Sequence, residues 1–546
     1  MIARHLNPDA NRLGNRMKQI FRAAFAFVLL WSAAAHLTAQ NATTTGQIRG
    51  RVMDPSNQPV TGASIIARNT MTGLERGGVS GSDGTFTVRL LPPGTYVVRS
   101  QMIGFANQEI PDVRVTVGQT ATVNLQLATQ AVQLAGIQVT ANRPVIDVTD
   151  ASVTQTVSRT EIEQLPVLGR DFVDFINLSG LVSPDPGETT GGQFSIAGQR
   201  ASQTNLQIDG VDANNAFFGE NRGGSRIPFV FSLESIQEFQ IVTNGYDVEY
   251  GNYSGGIVNV VTRGGTNDWR GSAYANYRSD ALTSRGFLDS LKLANYEVTQ
   301  YAGSFSGPIK RDKAFFLFSL DGQRRREPQI PLQITDYDDP GVRAEIERFW
   351  TALENVYGIE NARAGFNPFQ TTNDAVTLFG RIDWNLSPTH RLSMRHNFSN
   401  FNNDREWDDS FDFLYGASRA EKLESHSNSF VSELQSVFSE SMFNVFRFQF
   451  SKETRPRQGL NIRPALITNL SNGDQIGFGG TFVGFNNDLA ERKLQFIDNF
   501  TKTFGSHTLK IGANAIMTHN RNSFLPAIAG RCGRGDQGAG VFCFSD

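Results

Sequence analysis

The residues that could carry catalysis are too scattered in the sequence to suggest an active site. Zinc hydrolases need grouped histidines, cysteines or carboxylates, and the chain has no histidine between His36 and His390. The stretch from 150 to 265 contains no Ser-His-Asp arrangement, no cysteine nucleophile and no phosphate-binding loop. The sequence therefore predicts a non-enzymatic protein with no cofactor and no metal site.

One short peptide could recognise a partner protein. It comprises Ile137, Gln138, Val139, Thr140 and Ala141, in a stretch from 128 to 150 that has little other core pattern. An extended peptide of this kind can add a strand to the sheet edge of a partner. From spacing alone, an ordinary linker or the first strand of the next domain explains these five residues better.

The N-terminus and the composition indicate export. Basic residues from Arg12 to Arg22 precede an apolar stretch, Ala23 to Ala35, and small residues follow up to Ala39. This order predicts a signal peptide over 1–39, since the apolar stretch is short for a membrane anchor, which is the alternative. The net charge of -3 argues against a nucleic-acid partner.

Short alternating runs between 45 and 128 predict a small β-sandwich. The expected inward residues alternate along the strands with turns between them, and they are Ile48, Val52, Phe86, Val88, Leu90, Tyr96, Val98, Val123, Leu125 and Leu127. The segments GRVMD, GASIIARN and GSDGTFTVRLLPPGTYVVR resemble the carboxypeptidase-regulatory-like domain. Because the histidines for zinc are missing here, we interpret this domain as a spacer or docking module.

The stretch from 150 to 265 predicts a compact α/β domain with a mixed four-stranded core. Ser158 and Glu161 have capping-box spacing, and Asp209-Gly210 is a hairpin-turn pair. A second helix follows the first, and its expected core face comprises Phe172, Phe175, Ile176 and Leu178. The run GIVNVVT has apolar residues on both faces, as in a strand that is buried on both sides.

From 266 to 546 the sequence is typical of part of a transmembrane antiparallel β-barrel. Nine alternating strands of about ten residues are joined by short turns and long polar connections in alternation. The long connections are expected at 280–295, 327–373, 402–427 and 453–491. A soluble sandwich also alternates, but the regular change between short and long connections favours the barrel.

The sequence resembles the TonB-dependent outer-membrane receptors, in the Oar-like branch with a carboxypeptidase-regulatory-like domain. The motifs that carry this resemblance are AGQRASQTNLQIDGVD, YDVEYGNYSGGIVNVVTRGGTNDWRGSAYANYR and HTLKIGANA. The resemblance implies a mainly β fold: a sandwich, an α/β plug at 150–265 and an outer-membrane barrel from 266. It also implies TonB, with ExbB and ExbD, as the periplasmic partner and the outer-membrane lipid as the surroundings.

Several site residues follow from the resemblance. Ile137 to Ala141, within a linker at 129–149, become the TonB-box candidate. Structural and gating roles are implied for the plug-signature residues Arg200, Asp209 and Gly210. A junction between plug and barrel is implied at two glycine pairs and an aromatic residue, namely Gly255, Gly256, Gly264, Gly265 and Trp269. The expected reasons are close packing of the plug's last strand at the first pair and the turn out of the plug at the second.

The external loops are the implied ligand site. Trp407, Phe411 and Tyr415 are candidate ligand contacts, although a solvated acidic loop explains any single one of them better. In an oxidising compartment Cys532 and Cys543 could form a disulfide, or each could pair with a cysteine further along the chain.

The implied function is import of a bulky, unidentified ligand; the alternative is a structural, adhesion or secretion-associated protein anchored by the barrel. A plugged transporter barrel has about 22 strands, so nine strands lead us to expect an N-terminal fragment of a longer chain.

Overall fold

A computed structural model of the chain describes residues 44–129, 153–165, 172–184, 194–217, 219–221, 231–244, 247–251, 253–283, 296–329, 338–406, 413–415, 420–459, 466–479, 487–504 and 507–523. Three β-rich parts follow one another: two packed small sheets, a mixed sheet with short helices, and a large antiparallel sheet. We call them the sandwich, the plug and the wall. This architecture confirms the predicted mainly β fold class.

The sandwich comprises eight strands: β1 (Gly46–Met53), β2 (Ser64–Asn69), β3 (Glu75–Val79), β4 (Thr85–Leu91), β5 (Gly94–Gln101), β6 (Gln108–Val115), β7 (Thr120–Thr122) and β8 (Leu125–Gln126). One sheet has the order β4-β1-β7, with β8 also paired to β1, and the other has the order β3-β2-β5-β6. Ile48, Phe86 and Val98 meet in a buried core between the sheets, because alternate residues of a strand face the same side.

Leu90 departs from the prediction. It is buried, but it packs against Val445 of the wall and not in the sandwich core. The backbone at Leu90 has a φ of 55°, and the pairing of β1 with β4 shifts register at this point. This bulge turns Leu91 into the sandwich core and Leu90 outward. Simple period-two alternation could not anticipate it.

The plug contains nine strands: β9 (Val153–Ser158), β10 (Val182–Pro184), β11 (Phe194–Ile196), β12 (Asn205–Ile208), β13 (Val211–Asp212), β14 (Asn214–Asn215), β15 (Glu220–Asn221), β16 (Ile236–Asn244) and β17 (Ile257–Thr262). Its main sheet has five strands, in the order β13-β12-β17-β16-β9. The sequence predicted four strands, and the sheet has a fifth, β9, which pairs with β16. All six residues of the central strand β17 are buried, as its two apolar faces predict.

Two short helices belong to the plug, α1 (Arg159–Gln164) and α2 (Phe172–Ile176). Helix α1 begins at the predicted capping pair, where the Ser158 N–H donates to the Glu161 carboxylate at 2.7 Å. Phe175 and Ile176 are fully buried in the plug core. The expectation for Leu178 was wrong: α2 ends before it and its side chain is exposed.

The wall is a nine-stranded antiparallel sheet: β18 (Arg270–Ser279), β19 (Glu297–Lys310), β20 (Ala314–Gln329), β21 (Phe369–Asn385), β22 (His390–Glu406), β24 (Glu421–Ser439), β25 (Met442–Gly459), β28 (Asp488–Phe504) and β29 (His507–Ser523). Within the described ranges the wall has nine strands, which agrees with the count from alternation. Most are longer than expected and extend into the regions assigned to long connections, because paired strand ends beyond the apolar band are polar and carry no apolar period.

The wall has one apolar and one polar face, as alternation predicts. Side chains such as Leu378, Ile382 and Trp384 point to the outside and are partly exposed, whereas Thr377 and Asp383 on the opposite face are buried against the plug side. Among the described residues, no helix is long and apolar enough to cross a membrane.

Three long connections of the wall assemble into one structure, which we call the cap. It comprises α3 (Pro340–Asn355), β23 (Phe413–Tyr415), β26 (Leu466–Asn469) and β27 (Gln475–Phe478). Strand β27 pairs with both β23 and β26, and Trp350 packs with Phe366 in a core shared with β27. Helix α3 was not predicted, although Asp339 accepts hydrogen bonds from its first N–H groups as an N-cap residue does.

Candidate functional site: the contact between plug and wall

The first of three charged contacts between plug and wall forms around a hairpin turn. Asp209 and Gly210 connect β12 to β13, and both have left-handed backbone angles, with φ of 54° and 72°. Two consecutive residues with positive φ match the twist of a two-residue hairpin, and Asp and Gly tolerate this conformation. The turn brings the Asp209 carboxylate to the inner face of the wall.

The buried Asp209 carboxylate joins three parts of the molecule. It accepts hydrogen bonds from the N–H and the hydroxyl of Thr262, both at 2.9 Å, at the end of β17. From the wall, the Nε–H of Arg395 donates to the same carboxylate, and its Nη2 donates to the carbonyl oxygen of Ile208 at 2.9 Å. One carboxylate therefore connects the hairpin, the central strand and the wall.

A second arginine extends this cluster. Nη1 of Arg381 donates to the Thr262 carbonyl oxygen at 3.0 Å and lies 3.6 Å from the Asp209 carboxylate. Arg381 also pairs with Asp383 at 2.9 Å, and Asp383 pairs with Arg391 at 2.6 Å. Three arginines thus face two aspartates in a buried, continuous network at the short-turn end of the wall.

A second contact lies around Asp212, on the strand that follows the turn. The Lys493 ammonium of the wall donates to the Asp212 carboxylate and to the Asn214 carbonyl oxygen, the latter at 2.6 Å. The Tyr253 hydroxyl donates to Asp212 at 2.8 Å. Burial raises the pKa of Asp212, but Lys493 and the hydrogen bonds from Lys493, Tyr253 and Asn214 outweigh it and hold this pKa below its usual value.

A third contact lies on the last described wall strand. Nζ of Lys510 donates to Asp247 at 2.7 Å and to Glu249 at 3.0 Å, and Asn499 donates to Glu249 at 3.0 Å. The plug also makes an apolar contact, in which the Phe231 and Phe379 rings lie 5.8 Å apart. Several wall residues share the buried apolar core of the plug, so the ion-pair sites act beside an apolar contact.

The two glycine pairs lie where backbone or side chains approach closely. A Cβ atom on Gly256 would lie 2.2 Å from Ile196 within the plug, and one on Gly265 would lie 2.3 Å from the Phe316 carbonyl oxygen of the wall. Gly255 and Gly264 are similarly crowded, by Gln203 and Asp383 respectively. The second pair adopts no left-handed angle, so close approach, and not the expected turn, explains the need for glycine there.

Trp269 lies immediately before the first wall strand, β18. Its ring stacks on Phe305 at 5.4 Å and meets Phe316 edge-on at 5.7 Å, and it is largely exposed on the outer face. An exposed aromatic cluster at a strand end is typical of the aromatic girdles of membrane barrels.

The other predicted residues lie apart from this network or outside the described residues. Arg200 is exposed beside a short 3₁₀ turn and makes none of the contacts described for Asp209. Tyr415 lies in β23, where its backbone pairs with Gly477. Several predictions concern residues outside the described ranges. They are the predicted signal peptide (1–39), the peptide Ile137, Gln138, Val139, Thr140 and Ala141, the ligand candidates Trp407 and Phe411, and the disulfide candidates Cys532 and Cys543.

Sequence reasoning missed the wall side of the network. Arg381, Asp383 and Arg395 occupy the polar positions of alternating strands, where a pore-facing role is the ordinary expectation. The available signal was their charge, since most inward positions of these strands are uncharged. Their partners could not be identified, because the plug residues they meet are distant in sequence.

Three family matches follow the three parts of the chain. Residues 47–128 match the Carboxypeptidase regulatory-like domain, and residues 146–258 match the TonB-dependent Receptor Plug Domain. Residues 261–337 and 342–538, together half of the chain, match the Outer membrane beta barrel domain.

A curated relative and solved structures show similarity over part of their length. The chain is 25% identical over 399 residues to the TonB-dependent transporter Oar of Myxococcus xanthus, covering 70% of this chain and 35% of that protein. It is similar to the outer membrane transporter YddB from Escherichia coli, with 14% identity, coverage of 67% and 48%, and a TM-score of 0.49. The siderophore receptor PirA from Acinetobacter baumannii gives 15% identity, coverage of 67% and 48%, and a TM-score of 0.43.

The chain spans about a third of the length of its curated relative. The order of sandwich, plug and wall agrees with the order of the three matched families. The plug match and the curated relative are those of TonB-dependent transporters, a non-enzymatic family. The chain therefore belongs to the outer-membrane β-barrel proteins, as a TonB-dependent receptor with an N-terminal carboxypeptidase regulatory-like domain.

Proposed function

We propose that this chain is the plug-bearing part of a transporter that imports a bulky ligand across the outer membrane. TonB, with ExbB and ExbD, supplies the energy from the periplasm. The main support is the character of the plug–wall contact, in which separate ion-pair sites at Asp209, Asp212 and Lys510 hold the plug.

Polar contacts between plug and wall suit a plug that must move out of the barrel and return to it. Water can replace each hydrogen bond when the plug moves, so the net cost per bond is about 1 kcal/mol, far below its strength in an apolar medium. A wholly apolar interface would expose its area to water at about 25 cal/mol per Å² with no such compensation. The contact at Asp209 can therefore fix the position of the plug specifically and still be broken reversibly.

The energy-coupling peptide is proposed at Ile137 to Ala141. In the sequence it lies between the last described residue of the sandwich, at 129, and the first of the plug, at 153. TonB would add to it as a strand. Ligand binding outside would control its exposure inside, and this difference in exposure is what would couple the two sites.

The ligand is proposed to bind the cap and the neighbouring loops. Helix α3, β26 and β27 share one apolar core, and the parallel pairing of β23 with β27 links a third connection to it. Trp407, Phe411 and Tyr415 remain the proposed contacts, because they flank or form β23.

The proposed order of segments is a signal peptide at 1–39, the sandwich at 45–128, a linker with the TonB box at 129–149, the plug at 150–265 and barrel strands from 266. The signal peptide would direct export of the chain, a step that an outer-membrane location requires.

The test is site-directed cross-linking of TonB to the peptide in cells. A cysteine at Val139 should capture a TonB cysteine variant, and deletion of Ile137 to Ala141 should abolish capture by a cysteine placed at Asn142. The matched control replaces Arg143 to Asp147 with a glycine-serine segment of equal length and should retain capture. Equal capture by the deletion and the control would reject TonB coupling and favour the anchored adhesion or secretion protein.

A further inference from the structure

The sandwich lies directly on the plug. Its turn from Val117 to Gln119 rests on β9 and β16, the edge pair of the plug sheet. The Val117 N–H donates to the buried Glu238 carboxylate, and Nε2 of Gln119 donates to the Thr156 hydroxyl at 3.2 Å. Gly118 between them has a φ of 64°, and a Cβ there would lie 2.7 Å from Gln240. A larger residue here would have to adopt the left-handed angle and displace the Gln240 amide.

The same domain also contacts the wall, at its short-turn end. Nη1 of Arg76, on β3, donates to the carbonyl oxygen of Pro388 in the turn between β21 and β22. The Thr44 hydroxyl donates to Glu433 at 2.9 Å, and Arg447 donates to Thr44 at 3.2 Å. The sandwich therefore bridges the edge of the plug and two separate parts of the wall.

Leu90 anchors this bridge. Its side chain is 3% exposed and packs against Val445, with Val437 and Phe443 beside them. A leucine with positive φ is disfavoured by roughly 1–2 kcal/mol. The strained bulge removes Leu90 from the core of the sandwich. The contact of Leu90 with the wall is therefore what offsets the cost of the strained backbone.

We propose that the sandwich is a latch, which holds the β9–β16 edge of the plug in the wall until it undocks. The latch has a weak point at Arg76, whose Nε and Nη2 are buried without a hydrogen-bond partner among the described residues. Burial, together with the neighbouring Arg391, lowers the pKa of Arg76 to about 10. When the sandwich undocks, this guanidinium is hydrated again, and the gain in hydration free energy offsets part of the free energy lost with the contact.

The latch deepens the proposed import function, and its test contains neither TonB nor ligand. Hydrogen exchange is measured on the full chain in detergent micelles. Leu90→Asp places a charge against Val445 and should speed amide exchange in β9 and β16 at least tenfold. The control Ile103→Asp changes a sandwich residue that is 97% exposed and should leave both strands at the wild-type rate. Exchange in β2 and β5 reports that the sandwich itself stays folded.

A reversible cross-link gives the second measurement. The double variant Leu90→Cys/Val445→Cys should form a disulfide that slows exchange in β9 and β16 at least threefold, and reduction should restore the faster rate. The latch would be overturned if exchange in β9 and β16 stayed at the wild-type rate both in Leu90→Asp and in the oxidised Leu90→Cys/Val445→Cys variant. If Leu90→Asp fails to fold, the cross-linked pair alone decides. Failure of TonB capture would reject the proposed import mechanism and leave this result standing.

Discussion

Arg395, in the middle of a wall strand, donates its Nε–H to the carboxylate of Asp209 at the tip of a plug hairpin. Both groups are buried, and the same carboxylate accepts two hydrogen bonds from Thr262. The central strand and the hairpin of the plug are thus fastened to the wall through one side chain. The contribution of this arrangement to the stability of the plug can be measured by amide exchange in variants of Asp209.

Asp209→Asn should loosen the plug strongly. Asn tolerates the left-handed turn and keeps the size of the side chain. The substitution removes the charge and replaces one of the two acceptor oxygens, both of which are used by Thr262 or Arg395, with an NH2 donor. Removing one partner of a buried ion pair costs roughly 3–5 kcal/mol. Amide exchange in β12 and β17 should therefore accelerate by at least tenfold. Asp268→Asn, which alters an exposed pair with Arg270, is the matched control, and an equal effect of both would contradict the prediction.

Lys493→Gln should make the seating of the plug more sensitive to acid. Because the pKa of Asp212 is held below its usual value, its stabilising contribution is present at neutral pH and is lost as pH falls through the folded pKa. Without Lys493, burial should raise this pKa and move the loss to higher pH. Exchange in β12 and β13, measured from pH 7 downward and corrected for the intrinsic rate, should show the shift. Coincident profiles for the wild type and the variant would disprove it.

The contact between sandwich and plug should weaken as pH rises toward neutrality. Burial raises the pKa of Glu238 to about 7, despite the N–H of Val117 and the charge of Arg114. Its folded pKa exceeds the ordinary value of 4.5, so the contribution is complete below pH 4.5 and is lost as pH rises from there to about 7. Exchange of the turn from Val117 to Gln119 should increase from about pH 4.5 to 7.5 beyond the intrinsic increase. Glu238→Gln should abolish that excess, and its persistence in the variant would rule out Glu238 as the source.

Gly265→Ala should impair assembly of the plug with the wall. The new Cβ would lie 2.3 Å from the oxygen and 2.7 Å from the nitrogen of Phe316, both of which are backbone atoms that cannot rotate away. Overpacking of this kind costs roughly 1–3 kcal/mol. The folded fraction, measured by the heat-dependent mobility of the barrel in gel electrophoresis, should fall. Gly251→Ala, with no atom within 4 Å of the added Cβ, should behave as wild type.

Alternation and turn chemistry predicted most of the framework. The outward Leu378 and Trp384, the Asp209-Gly210 hairpin and the doubly buried β17 all follow from local sequence, because period and turn type are local properties. The network could not be predicted in the same way. Asp209 and Arg395 meet only after the plug enters the wall, and no local pattern encodes that encounter. The outward turn of Leu90 likewise depends on a single bulge.

The order of the plug strands also determines how the domain responds to mechanical force. Strand β9 is an edge strand, and its Ser158 end pairs with Glu238, beside the sandwich, while Val153 pairs with Asn244 at the far end. A pull toward the sandwich on the chain before Val153 therefore loads the far end first. The hydrogen bonds to β16 then break one after another, as in peeling, and not all at once, as in shear. Peeling requires a much smaller peak force than shear, so this edge is the place where the plug sheet opens most easily under load.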